Sequence, residues 1–496
     1  MNWATTRNNK SLLLKDIPYL SIKELRHEII KKWHESIRPV AFFGVQKENI
    51  VTLFAVLADD DNSRLLISCA DIEKSGSYES ITPEVPAIHL FERELFEDFG
   101  ITPLNHPWLK PVRHSNEIKS RNYKLADYPF FVEKGEEIHE VGVGPVHAGV
   151  IEPGHFRFLC DGETVDHLEI QLGYQHRGVE ELFLKGDIRN KSVLAESLCG
   201  DSSIAHSLCY AGVVESLAGV QVSRRTDAIR GIMLELERIG IHIGDLSAIA
   251  NDIGYLTGNN IFAALRTYII NTSLAVCGSR LGRGMVCPGG INFDIDDKKI
   301  KLIKGNLSKV MDTYKLMAEA MFNASGVINR LEKTGIVGTK SAHDLGFIGV
   351  AGRASGIKKD VRADHPFGIY RYIPLHPRTM LSGDVYARSY VRHLEILQSY
   401  QYIMQIFDNF PQDAGIKRGV DPITTSSISI SMTESWRGET LHAAVSDSSG
   451  KIIRYKIKDP SFHNWFALAL AVRKNGISDF PLCNKSFNLS YCGFDL

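Results

Sequence analysis

Cysteine is scarce in this chain: eight in 496 residues, namely Cys69, Cys160, Cys199, Cys209, Cys277, Cys287, Cys483 and Cys492. No two are spaced CxxC, which excludes a zinc ribbon, a thioredoxin-type pair and a ferredoxin run. They are too few for a disulfide scaffold and read as thiols of a reducing compartment. Long apolar runs are also missing. The start, MNWATTRNNKSLLLKDIPYL, carries only three consecutive leucines, too short for the apolar region of a signal peptide. No window reaches about 18 uncharged apolar residues, so no membrane span is expected, and membrane contact must come through a partner. Charge of one sign is lacking too. Lys+Arg (57) and Asp+Glu (58) leave a net charge of −1, so no global field exists to hold nucleic acid or anionic lipid. No GxGxxG opens a strand–helix unit and no GxxxxGK precedes Ser or Thr, which excludes the usual nucleotide pockets.

What is present is ordinary globular material, 44% hydrophobic and 23% charged, long enough for two to four domains. SIKELRHEIIKKWHESI has helical spacing, with Leu25, Ile29 and Trp33 at i, i+4 and i+8. VAFFGV, NIVTLFAVLA and SRLLISCA, over residues 40–70, read as strands. These predict a small α+β domain over residues 1–112. A polar stretch without period, residues 113–136, reads as a linker. In the remainder, 137–496, alternating segments with turns at Glu152-Pro153-Gly154 and Asp161-Gly162 predict a three-stranded antiparallel sheet. Three apolar stripes, through Ile232–Ala250, Leu307–Met321 and Leu397–Phe407, predict a helical bundle. LHAAVSDSSGKIIRYKIKD predicts a hairpin turning at Ser448-Ser449-Gly450. The fold class is α+β: a small head, then a body of β-sheet and long helices.

Several clusters could carry chemistry. FERELFEDFGITPLNHP is dense in acids and aromatics, and reads as a helix end with solvated charges. His147 and His155 flank a Gly/Pro turn without a specific metal-ligand spacing. ESLCGDSSIAH places Cys199, Ser202 and His206 on one face of a helical turn, with Asp201 adjacent. A thiol, a carboxylate and an imidazole within eight residues suit a metal or proton-transfer site, or equally a small-residue helix in close packing. In ESWRGE, Arg437 is fixed beside Gly438, whose backbone can approach a neighbour closely.

Taken in order, these motifs resemble a known superfamily. FERELFEDFGITPLNHP is similar to the signature of the 30-kDa-type subunit of respiratory complex I. VGVGPVHAGVIEPGHFRF, with LEIQLGYQHRGVEEL, resembles the start of the large subunit of group 4, formate hydrogenlyase-type, nickel–iron hydrogenases. That subunit is homologous to the 49-kDa-type subunit of complex I. GSRLGRGMVCPGG, GRASGIKKDVRADHPF, GDVYARSYVRHLEIL, ESWRGE and KDPSFHNWFALALAVRKN resemble the same subunit, and fusion of the two parts is typical of the hydrogenlyase form. The departures matter as much. The family holds nickel with four thiolates, from RxCGxC and DPCxxC. Here Cys199 remains, Ser202 replaces the second Cys and Ser197 the Arg. Ser490 and Gly493 fall where the C-terminal thiols would be, and Cys492 sits one position off. The usual peptide extension beyond a C-terminal His is missing as well. The resemblance therefore implies that the nickel–iron centre is absent. The quinone-contacting Tyr of complex I is missing near Gly200, and His147 lies in the corresponding loop in the hydrogenase-like form GPVHAG.

By resemblance, Glu180 matches the RGxE acid of the proton route and Arg437 the arginine suspended over the metal. Cys199, Asp201, Ser202, His206, Ser490 and Cys492 would line one cavity. That cavity would face a small iron–sulfur subunit carrying a 4Fe–4S cluster. The expected function is a redox-coupling subunit of a membrane-bound complex I-like assembly, an oxidoreductase of NADH:quinone or hydrogenase type. It would pass electrons to a quinone or another acceptor, at the cytoplasmic face of the membrane beside antiporter-like membrane-arm subunits. Two alternatives stand: a hydrogen-evolving hydrogenase with an atypical site, and a non-catalytic scaffold for conformational coupling.

Overall fold

The computed structural model describes residues 2–113, 127–133, 135, 138–148, 151–414 and 419–496. The first helix, Ile22–His34, starts at a capping box: the Ser21 side chain accepts the Glu24 N–H while the Glu24 carboxylate accepts the Ser21 N–H. Its buried Leu25 and Ile29 face a sheet whose antiparallel centre is Arg38–Lys47, Ile50–Asp59 and Arg64–Glu73. Ala4–Thr6 extends that sheet along Arg64–Glu73, and Tyr19–Leu20 adds a short parallel pairing.

Helix His89–Phe99 packs on strand Arg38–Lys47 and carries the acid-rich motif. The expectation of solvated charges is overturned, because Glu92, Arg93, Glu94 and Glu97 are all buried. Each finds partners that offset desolvation. Glu92 accepts the hydroxyls of Ser80 and Thr82, both at 2.6 Å, and the N–H groups of Ile81 and Thr82. Arg93 donates to the carbonyls of Lys110 (2.7 Å) and Pro111 (2.8 Å). Glu97 accepts the N–H groups of Val112 (2.7 Å) and Arg113 (3.1 Å). A charge survives in an interior only when satisfied this fully. The helix thereby clamps segment 110–113, and Arg113 reaches on to the Phe494 carbonyl at 2.6 Å. The linker expected at 113–136 lies for the most part outside the described residues.

The body opens with the predicted three-stranded antiparallel sheet, Ile138–Val143, His155–Asp161 and Thr164–Gln171, with His155–Asp161 in the middle. The predicted bundle follows. Arg224–Asp252 packs on Leu256–Cys277 and on Val385–Asp408, and Asp297–Asn323 packs on Leu256–Cys277. The expected hairpin is Glu439–Ser446 with Ile452–Lys458, joined on its other edge by Ser427–Glu434. Leu12–Leu13 adds the last strand, so the first twenty residues pair with both main sheets. Every residue of Ser427–Glu434 and Glu439–Ser446 is buried, and helix Ser203–Ala218 lies on them. Four charged or titratable residues of the GRASGIKKDVRADHPF stretch, Arg353, Asp360, Arg362 and His365, are buried as well. Arg353 bonds Glu395 (2.9 Å) and Glu434 (2.6 Å), and Arg362 pairs with Asp360 (2.7 Å) and Glu235 (3.0 Å). These ion pairs tie the bundle to the sheet.

Candidate functional site

Three elements converge at the end of the central sheet. The turn Cys199–Ser202 precedes helix Ser203–Ala218, Arg437 sits in the turn between Ser427–Glu434 and Glu439–Ser446, and Ser490 caps the last helix, Tyr491–Asp495. Two glycines make the Arg437 turn possible. A Cβ on Gly349, at φ 62°, would lie 1.8 Å from the Arg437 carbonyl oxygen, and one on Gly438 would lie 2.7 Å from the Gly349 Cα. The close approach expected beside Arg437 is thus to the backbone of Gly349. Gly493 serves similarly: a Cβ there would sit 2.7 Å from Asp459 Cγ and 2.9 Å from Ser490 Oγ.

Arg437 forks onto Asp201, Nη1 to Oδ1 at 2.6 Å and Nη2 to Oδ2 at 2.8 Å. The same Nη1 lies 3.2 Å from Cys199 Sγ and 3.3 Å from Ser202 Oγ, while Nε donates to the Asn488 carbonyl at 2.5 Å. The guanidinium stacks 3.9 Å above the Trp436 ring, whose Nε1–H holds the Asp201 carbonyl at 2.9 Å. Burial opposes the charge, but Asp201 and then Cys199 hold the guanidinium pKa above its ordinary value. Cys199 Sγ lies 3.1 Å from both Asp201 Oδ1 and Ser490 Oγ, and Ser490 Oγ is 3.4 Å from Cys492 Sγ. The two thiols polarise each other. The neighbouring Cys492 pushes Cys199 well up, with burial and Asp201 adding, while Cys199 draws Cys492 below its usual value. Cys199 is buried, whereas Cys492 is partly exposed.

Six of the residues singled out in the sequence therefore form one recess: Cys199, Asp201, Ser202, Arg437, Ser490 and Cys492. The other three do not join it. Ser202 occupies the N-cap position of its helix, one turn before His206, and Cys199 lies in the turn before that. His206 turns instead to Asp459 Oδ2 (3.2 Å) and His442 Nε2 (3.1 Å). His147 lies against Tyr491, its Nε2 3.4 Å from that hydroxyl. Glu180 belongs to a separate cleft of about 310 Å³ between the head and the body, lined also by Glu94, Asp98, Arg113, Lys185 and Arg454. There it meets Arg454 and Lys456, both at 3.2 Å, and accepts the Ile457 N–H at 2.9 Å. Burial raises its pKa, but Lys456, Arg454 and Arg113 outweigh it and bring the carboxyl to about 2. Asp98 goes the other way, to about 6, because burial and the charges of Glu94 and Glu180 exceed the pull of Arg454.

Sequence reasoning missed several members. Arg177 donates to the carbonyls of Ser197 (2.9 Å), Leu198 (3.0 Å) and Cys492 (3.2 Å), tying the two halves of the recess together. Asn488 bonds Asp245 at 2.6 Å, and Asp245 pairs with Arg392 at 2.7 Å, linking the recess to the buried ion pairs. Asp459 sits within KDPSFHNW, a motif already visible, but nothing in its spacing marked it as a partner of His206.

The donor set supplies two thiols and two hydroxyls. Among the described residues, no group of three or more His, Cys, Asp or Glu side chains is placed to hold a metal ion. A neutral hydroxyl is a poor substitute for a thiolate on a soft metal centre, so these residues do not fit a four-thiolate nickel–iron group. No helix among the described residues is long and apolar enough to cross a membrane.

Comparison with known proteins identifies the family. Residues 252–428 and 416–495 match the family "Respiratory-chain NADH dehydrogenase, 49 Kd subunit", and residues 30–126 match its "30 Kd subunit". Hydrogenase-4 component G of Escherichia coli (strain K12) is 29% identical over 436 residues, 84% of this chain and 75% of that protein. Membrane-bound hydrogenase subunit alpha of Pyrococcus furiosus is 30% identical over 373 residues, 72% of this chain and 87% of that protein. A chain of an archaeal respiratory membrane complex, the membrane-bound sulfane sulfur reductase, shares the fold. Its TM-score is 0.68 at 24% identity, over 74% of this chain and all of that one. The chain belongs to the family of 49-kDa-type subunits of respiratory-chain NADH dehydrogenase and their membrane-bound hydrogenase relatives, joined here to a 30-kDa-type domain.

Proposed function

We propose that this chain is the redox-coupling subunit of a membrane-bound, complex I-like oxidoreductase. In this reading, electrons arrive from a 4Fe–4S cluster in a small iron–sulfur partner docked over the recess. They pass to an acceptor that takes up protons with them, a quinone in the first instance. The assembly sits at the cytoplasmic face of the membrane, beside membrane-arm subunits. The observation that carries the reading is the Arg437–Asp201 fork seated on Cys199 and Ser202. A buried guanidinium is costly to keep unless it is used or fully paired. Arg437 sits beside a carboxylate that is one-third exposed, so it can share its donors with an incoming carbonyl or oxyanion. Negative charge developing on a reduced acceptor would be stabilised by that guanidinium, and Asp201 fixes its orientation.

The same donor set supports a chain that works without nickel, since Ser202 and Ser490 stand where thiolates would be needed. Elemental analysis of the purified complex is expected to find nickel far below one per chain. About one nickel per chain would restore the hydrogenase reading. Arg437→Met is expected to abolish turnover of the assembled complex with the partner cluster still reducible. Wild-type turnover in that variant would leave the non-catalytic scaffold as the reading.

A further inference from the structure

Four fully buried side chains form an unbroken hydrogen-bond series behind the recess. Tyr455 OH lies 2.9 Å from His442 Nδ1, His442 Nε2 lies 3.1 Å from His206 Nδ1, and His206 Nε2 lies 3.2 Å from Asp459 Oδ2. They come from three elements: strand Ile452–Lys458 and the residue just after it, strand Glu439–Ser446, and helix Ser203–Ala218. One proton arrangement satisfies every member. The Asp459 carboxylate accepts the His206 Nε2–H, His206 Nδ1 accepts the His442 Nε2–H, and His442 Nδ1 accepts the Tyr455 O–H. Both imidazoles are then neutral, and every donor points toward Asp459. Burial, and next the neighbouring His206, hold His442 well below its ordinary range, while burial holds Tyr455 well above its own. Burial raises the Asp459 carboxyl, but His206, Arg437 and Ser461 together outweigh this and hold it below its ordinary value. Asp459 also borders the recess: it abuts Gly493 beside Ser490, and its charge acts on Arg437 and Cys199.

We propose that Tyr455, His442, His206 and Asp459 form a proton relay that supplies the Arg437 site. The proposal rests on the reading of that site as a place where electrons and protons reach one acceptor. The step balances as three concerted transfers. The His206 Nε2 proton moves to Asp459, the His442 Nε2 proton moves to His206 Nδ1, and the Tyr455 hydroxyl proton moves to His442 Nδ1. Asp459, now a carboxylic acid, holds the proton for the acceptor reduced by electrons from the partner's cluster. Tyr455 is itself buried, so its oxygen regains one proton only when a water molecule reaches it, from the side of Glu180, the carboxylate whose charge acts on it. Rotation of the two imidazoles resets the series. One proton enters at Tyr455 for each one that leaves at Asp459.

Tyr455→Phe is the cleanest test, because the ring keeps its 4.1 Å stack on Phe183 while losing only the hydroxyl. Turnover of the assembled complex with a quinone is measured in light and heavy water. A fall of about tenfold or more is expected, with a larger solvent isotope effect and a thermal midpoint and cluster reduction close to wild type. His442→Gln is expected to behave likewise. Wild-type rate and isotope effect in assembled Tyr455→Phe would overturn the relay and leave the four groups as a structural brace. Arg437→Met separates the two claims. If it is inactive while the Tyr455 variant is normal, the relay alone fails. If both turn over normally, the site reading fails first. A readout independent of turnover is the reduced-minus-oxidised infrared difference spectrum of the complex. Carboxyl and imidazole bands that Asp459→Asn removes are expected, and a spectrum without them overturns the relay.

Discussion

Arg437 and Asp201, 236 positions apart, meet as a two-point ion pair, with Nη1–Oδ1 at 2.6 Å and Nη2–Oδ2 at 2.8 Å. The pair spans the gap between the turn before helix Ser203–Ala218 and the turn joining two strands of the central sheet. Two motifs that look unrelated in the chain are therefore one device. Arg437→Lys keeps the charge but loses the fork and the stack on Trp436. It is expected to lower turnover by at least tenfold. The cost in stability is about 1–2 kcal/mol by denaturant melt, held down because Asp201 can turn to water.

The contact between Gly349 and the Arg437 turn gives a test of position without touching a polar group. Gly349→Ala would put a Cβ 1.8 Å from the Arg437 carbonyl, at a φ of 62° that disfavours side chains. The turn must move away. The expected loss is about 2–4 kcal/mol, with turnover falling further than the folded fraction does.

The two thiols of the recess should differ sharply in reactivity. Cys492 is partly exposed and its pKa is lowered by the neighbouring Cys199 thiol, whereas Cys199 is buried with a raised pKa. Iodoacetamide followed by mass spectrometry of the folded full chain is expected to label Cys492 well before Cys199. Equal rates would contradict the described asymmetry.

Glu92 is the anchor of the head domain. It accepts two hydroxyls and two backbone N–H groups in the interior. Glu92→Ala strands all four donors and is expected to cost about 3–5 kcal/mol, read as a loss of denaturant midpoint. Glu92→Gln, which keeps one acceptor oxygen, should cost less.

The cleft between head and body predicts opposite acid responses from two neighbours. Glu180 has a folded pKa of about 2, below its ordinary value. The stability it contributes is present above the unfolded carboxyl value and is lost as pH falls through about 2. Asp98, at about 6, is raised, so stability from this group increases as pH falls through 6 toward the ordinary aspartate range. Asp98→Asn is expected to remove that slope from a plot of thermal midpoint against pH between about 4 and 6. Glu180→Gln should flatten only the limb below the ordinary carboxyl value.

The sequence by itself determined the first helix, three long helices of the bundle, the strands of the head, the three-stranded sheet, the late hairpin and the family. Stripes such as Ile232–Ala250 and the hairpin around Ser449 depend on near neighbours, and their periods survive in the folded chain. It also determined the composition of the recess, since Cys199, Ser202, Ser490 and Cys492 are fixed by motif order. Tertiary structure alone decided which charges are interior. Glu92 and Glu97 read as solvated because their compensating donors, Ile81–Thr82 and Val112–Arg113, carry no mark of that role. It alone moved Glu180 into a cleft with Arg454 and Lys456, some 275 positions away. And it alone joined His206 to His442 and Asp459, 236 and 253 positions on. The physical reason is common to all three. Helix and strand periods follow from backbone geometry over a few residues, whereas desolvating a charge is tolerated only where distant donors converge on it, and that convergence exists only once the chain has folded.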